Sequence, residues 1–409
     1  MKLDRLEKQT FFLLLLGAFF NGFVISSFLM YDVIAKKALH ALDWQITILV
    51  MLWPVSNLFS IWWGKVLEHS RSLSKFFVLT AIIGRLPLVL MLFVTNYFQY
   101  LILLLLLFSF NALVSPAQNA IYQINFKPKN RGEVFGYIAS LVTVTILCFN
   151  FLGGKLLDIN ENLFRHFYVV VGIFGCYSAL IMATIKVKKK RYFEVKETIV
   201  LKKLFWKPVV RTIEVMKKNK NFAIFERNFF IYGVGFMVLL PAIPKYLVEI
   251  LQMDYTQNFL AKGIISQIGI LFLAPLAGKI FDRQHPALFT FMAFGLLGLY
   301  PGILLISSFF INSGFVNYIV YFAFLVFGIV MSAIFISWSI SSIYFAGDED
   351  VSMYQSVHVT LTGLRGLFAP FLGYLILKTL GVQAVFVCAI LLFCTASFLS
   401  YRQYISKKN

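Results

Sequence analysis

The feature that most narrows the fold of this chain is a succession of apolar runs, each long enough to cross a bilayer, divided by short polar or charged segments. A helix needs about 20 apolar residues to traverse the hydrocarbon core. Twelve runs qualify, at 10 to 34, 44 to 67, 74 to 95, 98 to 124, 134 to 157, 166 to 186, 222 to 250, 258 to 281, 287 to 309, 315 to 345, 353 to 377 and 382 to 404. With 60% hydrophobic and 13% charged residues over 409 positions, the chain is too apolar for a water-soluble exterior. The expectation is an all-α membrane protein of twelve transmembrane helices in a lipid bilayer.

The first run follows Lys2, Arg5 and Lys8 in the manner of a signal peptide. It is too long for one and lacks a small-residue cleavage site, so it reads as a retained helix 1. A formal charge of +19 would suggest nucleic acid in a soluble protein. Here Lys127, Lys129 and Arg131, the basic run from Lys186 through Lys220, and Arg402, Lys407 and Lys408 all fall on one side of the predicted topology. Positive charge gathers on cytoplasmic loops, so both termini are expected in the cytoplasm of a bacterial inner membrane, with no nucleic-acid partner. Asp348, Glu349 and Asp350 share that side, where acids weigh little in the rule. The cysteines Cys148, Cys176, Cys388 and Cys394 lie inside apolar runs, and no disulfide framework follows.

The second half repeats the first. Gly64-Lys65-Val66-Leu67-Glu68-His69 matches Gly278-Lys279-Ile280-Phe281-Asp282-Arg283, 214 positions on, and Gly84-Arg85-Leu86-Pro87 matches Gly298-Leu299-Tyr300-Pro301 in the same register. Phe151-Leu152-Gly153 and Phe371-Leu372-Gly373 match at an offset of 220. Two like halves are what parallel repeats about an axis normal to the membrane produce. The predicted units are an amino-terminal six-helix bundle (1–186), a basic cytoplasmic linker (187–221) and a carboxyl-terminal six-helix bundle (222–409), with Val200, Leu204, Val209, Ile213 and Met216 suggesting a short surface helix in the linker.

These residues resemble the major facilitator superfamily, whose mark is a G-x-x-x-D-R/K turn between helices 2 and 3, echoed between helices 8 and 9. Gly278, Asp282 and Arg283 fit the echo; in the first copy Gly64 is kept, Glu68 stands for the aspartate and Arg71 is the nearest later cation. The resemblance implies two pseudo-symmetric bundles gated at those turns, a central cavity bordered by helix 11, and transport of a small molecule. Drug antiporters of the family usually carry an arginine in helix 4 and G-P-x-x-G-G in helix 5. This chain has no arginine in helix 4 and reads Phe149-Asn150-Phe151-Leu152-Gly153-Gly154 in helix 5, which argues against proton-driven drug export.

Buried charge is costly in a bilayer, so Arg365, midway along helix 11, and Arg85, midway along helix 3, are singled out. Arg365 is either a solute ligand for a carboxylate or phosphate or a packing arginine. Arg85 is read as a structural brace, with Asp32 or Glu68 as possible partners. Polar rows at helical spacing mark candidate cavity walls: Asn111, Ser115, Gln118 and Tyr122 on helix 4, Ser337, Ser341 and Tyr344 with Trp338 on helix 10, His358, Thr362 and Arg365 on helix 11, and Asn21 with Asp32 on helix 1. Hydrogen-bonded helix contacts are the alternative explanation of such rows. His358 and Asp32 are the candidates for coupling to protons, although His358 reads more simply as an interfacial histidine and Asp32 as a solvated carboxylate. Glu226 and Arg227 stand close enough to pair with each other or with lipid headgroups.

No phosphate loop, dinucleotide fingerprint or metal-ligand spacing is present, so neither an enzyme nor a cofactor or metal is expected. The sequence supports a monomeric transporter of a small polar or anionic organic solute working by alternating access. The alternatives are a multidrug exporter and a sensor or assembly factor that keeps the fold without turnover.

Overall fold

The computed structural model describes residues 3–68, 72–187, 210, 212–281, 283–346 and 351–406. The chain passes up and down in twelve helical rods: α1 (Arg5–Ala38), α2 (Asp43–Glu68), α3 (Ser74–Phe93), α4 (Tyr97–Asn125), α5 (Pro128–Ile159), α6 (Phe164–Ala183), α7 (Lys220–Ile250), α8 (Tyr255–Phe259, Leu260–Ile265 and Ser266–Phe281 in succession), α9 (Pro286–Ser307), α10 (Val316–Ala346), α11 (Val351–Leu380) and α12 (Val382–Ser406). Among the described residues, ten are long and apolar enough to cross a membrane; α2 and α8 are the rods outside that group. Most of the predicted linker lies outside the described residues.

Local chemistry fixes the helix starts. Asp4 and Glu7 form a capping box at α1, and the buried Glu7 also accepts from Lys127 N at 2.8 Å, tying the start of α1 to the α4–α5 turn. Asp254 and Gln257 cap α8 in the same way. Asp158, from the end of α5, adds a second carboxylate there, accepting from the backbone N–H groups of Tyr255 and Thr256 at 2.6 and 2.9 Å. Negative charge at the free N–H groups of a helix start is favourable.

Packing repeats as the sequence does. In the amino-terminal half α1 packs on α5 and α6, α2 on α4, and α3 on α4 and α6; in the other half α7 packs on α11 and α12, α8 on α10, and α9 on α10 and α12. The seam repeats too, since α2 meets α11 and α5 meets α8. Glycines set that seam: a methyl at Gly363 would lie 2.2 Å from Leu58, one at Gly366 2.4 Å from Pro54, and one at Gly154 3.0 Å from the Thr256 backbone. Each half holds an aromatic-rich core, around Phe108, Phe164 and Tyr168 in one and Phe229, Phe294 and Phe393 in the other. Large apolar side chains such as Phe12, Phe93, Phe272 and Phe309 point outward, as a lipid solvent permits.

Candidate functional site

Helices α7 and α11 lie side by side, and their shared face carries charge. His358, Thr362 and Arg365 recur at helical spacing and meet Glu226, Phe229 and Gly233 of α7. His358 Nδ1 lies 2.9 and 3.0 Å from the two carboxylate oxygens of Glu226, and both residues are only 2% exposed. Phe229 of α7 and Trp338 of α10 make T-shaped contacts with the imidazole at 4.7 and 5.6 Å, and among the described residues no group bonds to its Nε2. His358 is therefore part of a buried carboxylate–imidazole pair, which corrects the interfacial reading. Arg227 leaves Glu226 to it and donates to Asn228 Oδ1 instead.

Two turns along α11, Arg365 is 4% exposed. Its Nη1 donates to the Phe229 carbonyl at 2.6 Å and its Nη2 to Thr362 Oγ1 at 3.1 Å, while the Thr362 hydroxyl donates to the His358 carbonyl at 3.0 Å. The guanidinium also lies 5.8 Å from the ring centroids of Phe229 and Tyr232, within cation–π range. Only glycine at 233 admits it, because a methyl there would fall 2.0 Å from Cζ. Among the described residues, none accepts from Nε. A charge at this depth costs about 2.5–3.5 kcal/mol on insertion scales, which the carbonyl, the ring faces and the Glu226 carboxylate a turn away offset. On α10, Ser337 and Ser341 are buried with hydroxyls 3.0 Å apart, while Tyr344 turns to His285 and Phe345.

The amino-terminal half holds the other buried arginine. Pro87 lacks the N–H of a regular helix, and α3 adapts with a π-helical turn over Thr80–Arg85 followed by 3-10 turns over Leu86–Phe93. Arg85, 2% exposed, is carried inward, where Nη2 donates to Asn111 Oδ1 at 2.8 Å. Asn21 and Gln118 line a small cavity with it, inside this half and away from the seam. Along the helix 4 row, Asn111 accepts from Arg85, while Gln118 lines the same cavity and donates to the Tyr122 hydroxyl at 3.4 Å, and the Tyr122 ring packs against Phe126 and Phe135. The side chain of Ser115 lies outside the described ones.

Asp32, one of the two predicted partners of Arg85, is not found there. Asp32 is 6% exposed rather than solvated, and both its oxygens accept from Lys262 of α8 at 2.6 Å. This bridge joins the halves, as does a ring of four charges at the end of the bundle remote from the termini. Lys36 pairs with Asp43 at 2.8 Å and with Glu249, and Lys245 pairs with Asp43 and, at 3.3 Å, with Glu249. Lys37 adds a bond to the Met253 carbonyl at 3.0 Å. Sequence reasoning passed over these groups, although Lys262 is a cation inside an apolar run and Lys245 and Glu249 stand four apart on one helix face. Among ion pairs with both partners described, those joining the halves all lie toward this end.

At the other end, Gly64 and Glu68 sit in the last turns of α2, Gly278 sits near the end of α8, and Arg283 is exposed just after it. Arg71 and Asp282 lie outside the described residues, as does the side chain of Glu68. Among the described residues, no three His, Cys, Asp or Glu side chains assemble as metal ligands.

The family model for the Major Facilitator Superfamily matches residues 10–364. A comparison with curated proteins finds no match. Among solved structures the fold is similar to the nucleoside transporter NupG, at TM-score 0.73 and 13% identity over 98% of this chain and 100% of that one. It is similar also to a bacterial homolog of the human lysosomal transporter Spinster in an inward-facing, unoccupied conformation, at TM-score 0.65 and 15% identity over 99% of each chain. A third likeness is a POT family transporter in complex with a thioalcohol-conjugated peptide, at TM-score 0.72 and 12% identity over 98% of this chain and 96% of that one. At such identities the likeness speaks to fold alone. The family match covers most of the chain and agrees with the repeated helical packing: this multi-pass membrane protein belongs to the Major Facilitator Superfamily.

Proposed function

We propose that the protein carries a small polar or anionic organic solute across the bacterial inner membrane by alternating access, as a monomer with both termini in the cytoplasm. The observation that carries the anionic preference is Arg365: a buried guanidinium that, among the described residues, has no direct carboxylate partner and no acceptor for Nε. A carboxylate or phosphate is the natural complement of such a fork of donors. Thr362 bonds to Arg365, Trp338 of α10 packs on the imidazole of His358, and Ser337 and Ser341 bond to each other on the same helix as Trp338.

The ion pairs at the end remote from the termini support a state closed to the outside and ready to release or accept solute on the cytoplasmic side. The Glu226–His358 pair is the candidate coupling element. Both groups change charge by taking up one proton, and Thr362 links them to Arg365 through two hydrogen bonds. Asp32, held by Lys262, acts in this reading as part of the outer closure.

The test is a thermal-shift screen of purified protein and its Arg365→Ala variant against carboxylates, phosphorylated metabolites, nucleosides, sugars and lipophilic cations, since a ligand of the native state raises its melting temperature. Stabilisation by an anion in the parent, absent in a still-folded variant, is expected. Stabilisation by lipophilic cations alone, unchanged in the variant, would replace this reading with drug export.

A further inference from the structure

Building on the alternating-access reading, we propose that Asp158 and Lys37 are positioning residues of the transport cycle: they clamp the backbone of the α7–α8 turn in the opposite half and so hold the outer side shut. The turn is gripped at both of its polar edges. Lys37, near the end of α1, donates from Nζ to the Met253 carbonyl at 3.0 Å and lies 4.7 Å from the ring centroid of Tyr255. Asp158, near the end of α5, accepts with its two carboxylate oxygens from the first N–H groups of α8, those of Tyr255 and Thr256, at 2.6 and 2.9 Å. A cation thus meets a carbonyl and an anion meets free N–H groups, which matches the polarity of a chain leaving one helix and entering the next.

The start of α8 has two caps of different origin. Asp254, from its own half, accepts from the Gln257 N–H at 2.6 Å and travels with α8. Asp158 comes from the amino-terminal half, and among the described residues no other group accepts from Tyr255 N or Thr256 N. Parting of the halves strips those donors and leaves only Gln257 capped. The Met253 carbonyl depends less on its clamp, since it also accepts from Asn258 Nδ2 at 3.1 Å within its own half. The ionic ring is likewise less exclusive, because Lys245 and Glu249 keep each other when the halves separate. Packing brings the clamp into reach. Tyr255 and Phe259 are buried in the apolar core of the amino-terminal half, and Gly154, one turn before Asp158, faces Thr256, where a methyl would fall 3.0 Å from Cα. Asp158 therefore ranks first among the clamp residues and Lys37 second.

The experiment reads outward opening as labelling of one cysteine by an impermeant maleimide added to intact cells, in the full-length chain with its four native cysteines replaced by serine. Met30→Cys is the reporter, because Met30 is fully buried and its Cε lies 2.7 Å from a methyl built at Gly263 of α8. Asp158→Ala is expected to raise labelling about fivefold and Lys37→Met about twofold, the shift in the open population that loss of a helix cap or a weaker contact gives. Asp254→Ala takes a carboxylate from the same helix start and is expected to lower the melting temperature without raising labelling; a merely structural role for Asp158 would make the two variants alike. Gly154→Leu wedges α5 from α8 and sets the level of full labelling. Strong labelling in Gly154→Leu with parent-level labelling in Asp158→Ala overturns the clamp and leaves alternating access standing, as does equal labelling in the Asp158 and Asp254 variants. Parent-level labelling in both Gly154→Leu and Asp158→Ala means that the halves do not part on this side, and both readings fall.

Discussion

The two halves each bury one arginine, and they treat it differently. Arg365 shares its helix pair with a titratable couple, Glu226 and His358, and is joined to it through Thr362. Arg85 is bonded to the neutral amide of Asn111 and lines a small pocket of its own half with Asn21 and Gln118. A like fold thus supports two kinds of buried charge. One stands on a helix pair that carries a carboxylate–imidazole contact, the element proposed for coupling; the other is bonded to a neutral amide.

Removing each arginine's partners tests that contrast. The largest effect is expected from Arg365→Ala, with solute uptake into proteoliposomes falling about 100-fold or more, on the order of 3 kcal/mol for a lost charge-assisted interaction. Equal uptake by a folded variant would make Arg365 a brace like Arg85. Glu226→Gln comes next: it keeps the volume but removes the charge, and uptake measured from pH 5 to 8 should lose its pH dependence. A profile unchanged by the substitution would move coupling elsewhere. Asn111→Leu should lower stability by about 1–3 kcal/mol, because it strands a buried donor of Arg85, yet leave the half-saturating solute concentration alone. A raised half-saturating concentration there would bring the amino-terminal cavity into the solute path. Smallest is Lys245→Gln at the partly exposed ionic ring, worth about 1 kcal/mol or less, read as greater labelling of cysteines introduced below the ring from the outside.

Architecture was legible because it rests on local patterns. Run length gives the helices, and the repeat from Gly64 to Gly278 gives two halves whose packing partners then correspond rod by rod. Helical spacing also placed His358, Thr362 and Arg365 on one face. Partners were not legible. Asp32 finds Lys262 from 230 positions away and His358 finds Glu226 from 132, and no periodicity links residues that meet only across packed helices. The row on helix 4 shows the same limit from the other side: spacing says that Asn111 and Tyr122 align, but the tertiary fold gives one an arginine and the other a nest of phenylalanines.

The closed ring of Lys36, Asp43, Lys245 and Glu249 has a consequence for the surroundings in which the protein works. Each of its members must exchange a protein partner for water and mobile ions when the halves part there. Surface ion pairs weaken as the Debye length shrinks, from about 10 Å at 0.1 M salt to about 3 Å at 1 M. In the proposed cycle, the exposed members of the ring, Glu249 above all, feel that screening and the buried Lys36 much less, so brine loosens this end of the bundle only in part and the balance between its two faces answers to the salt of the medium before any solute arrives.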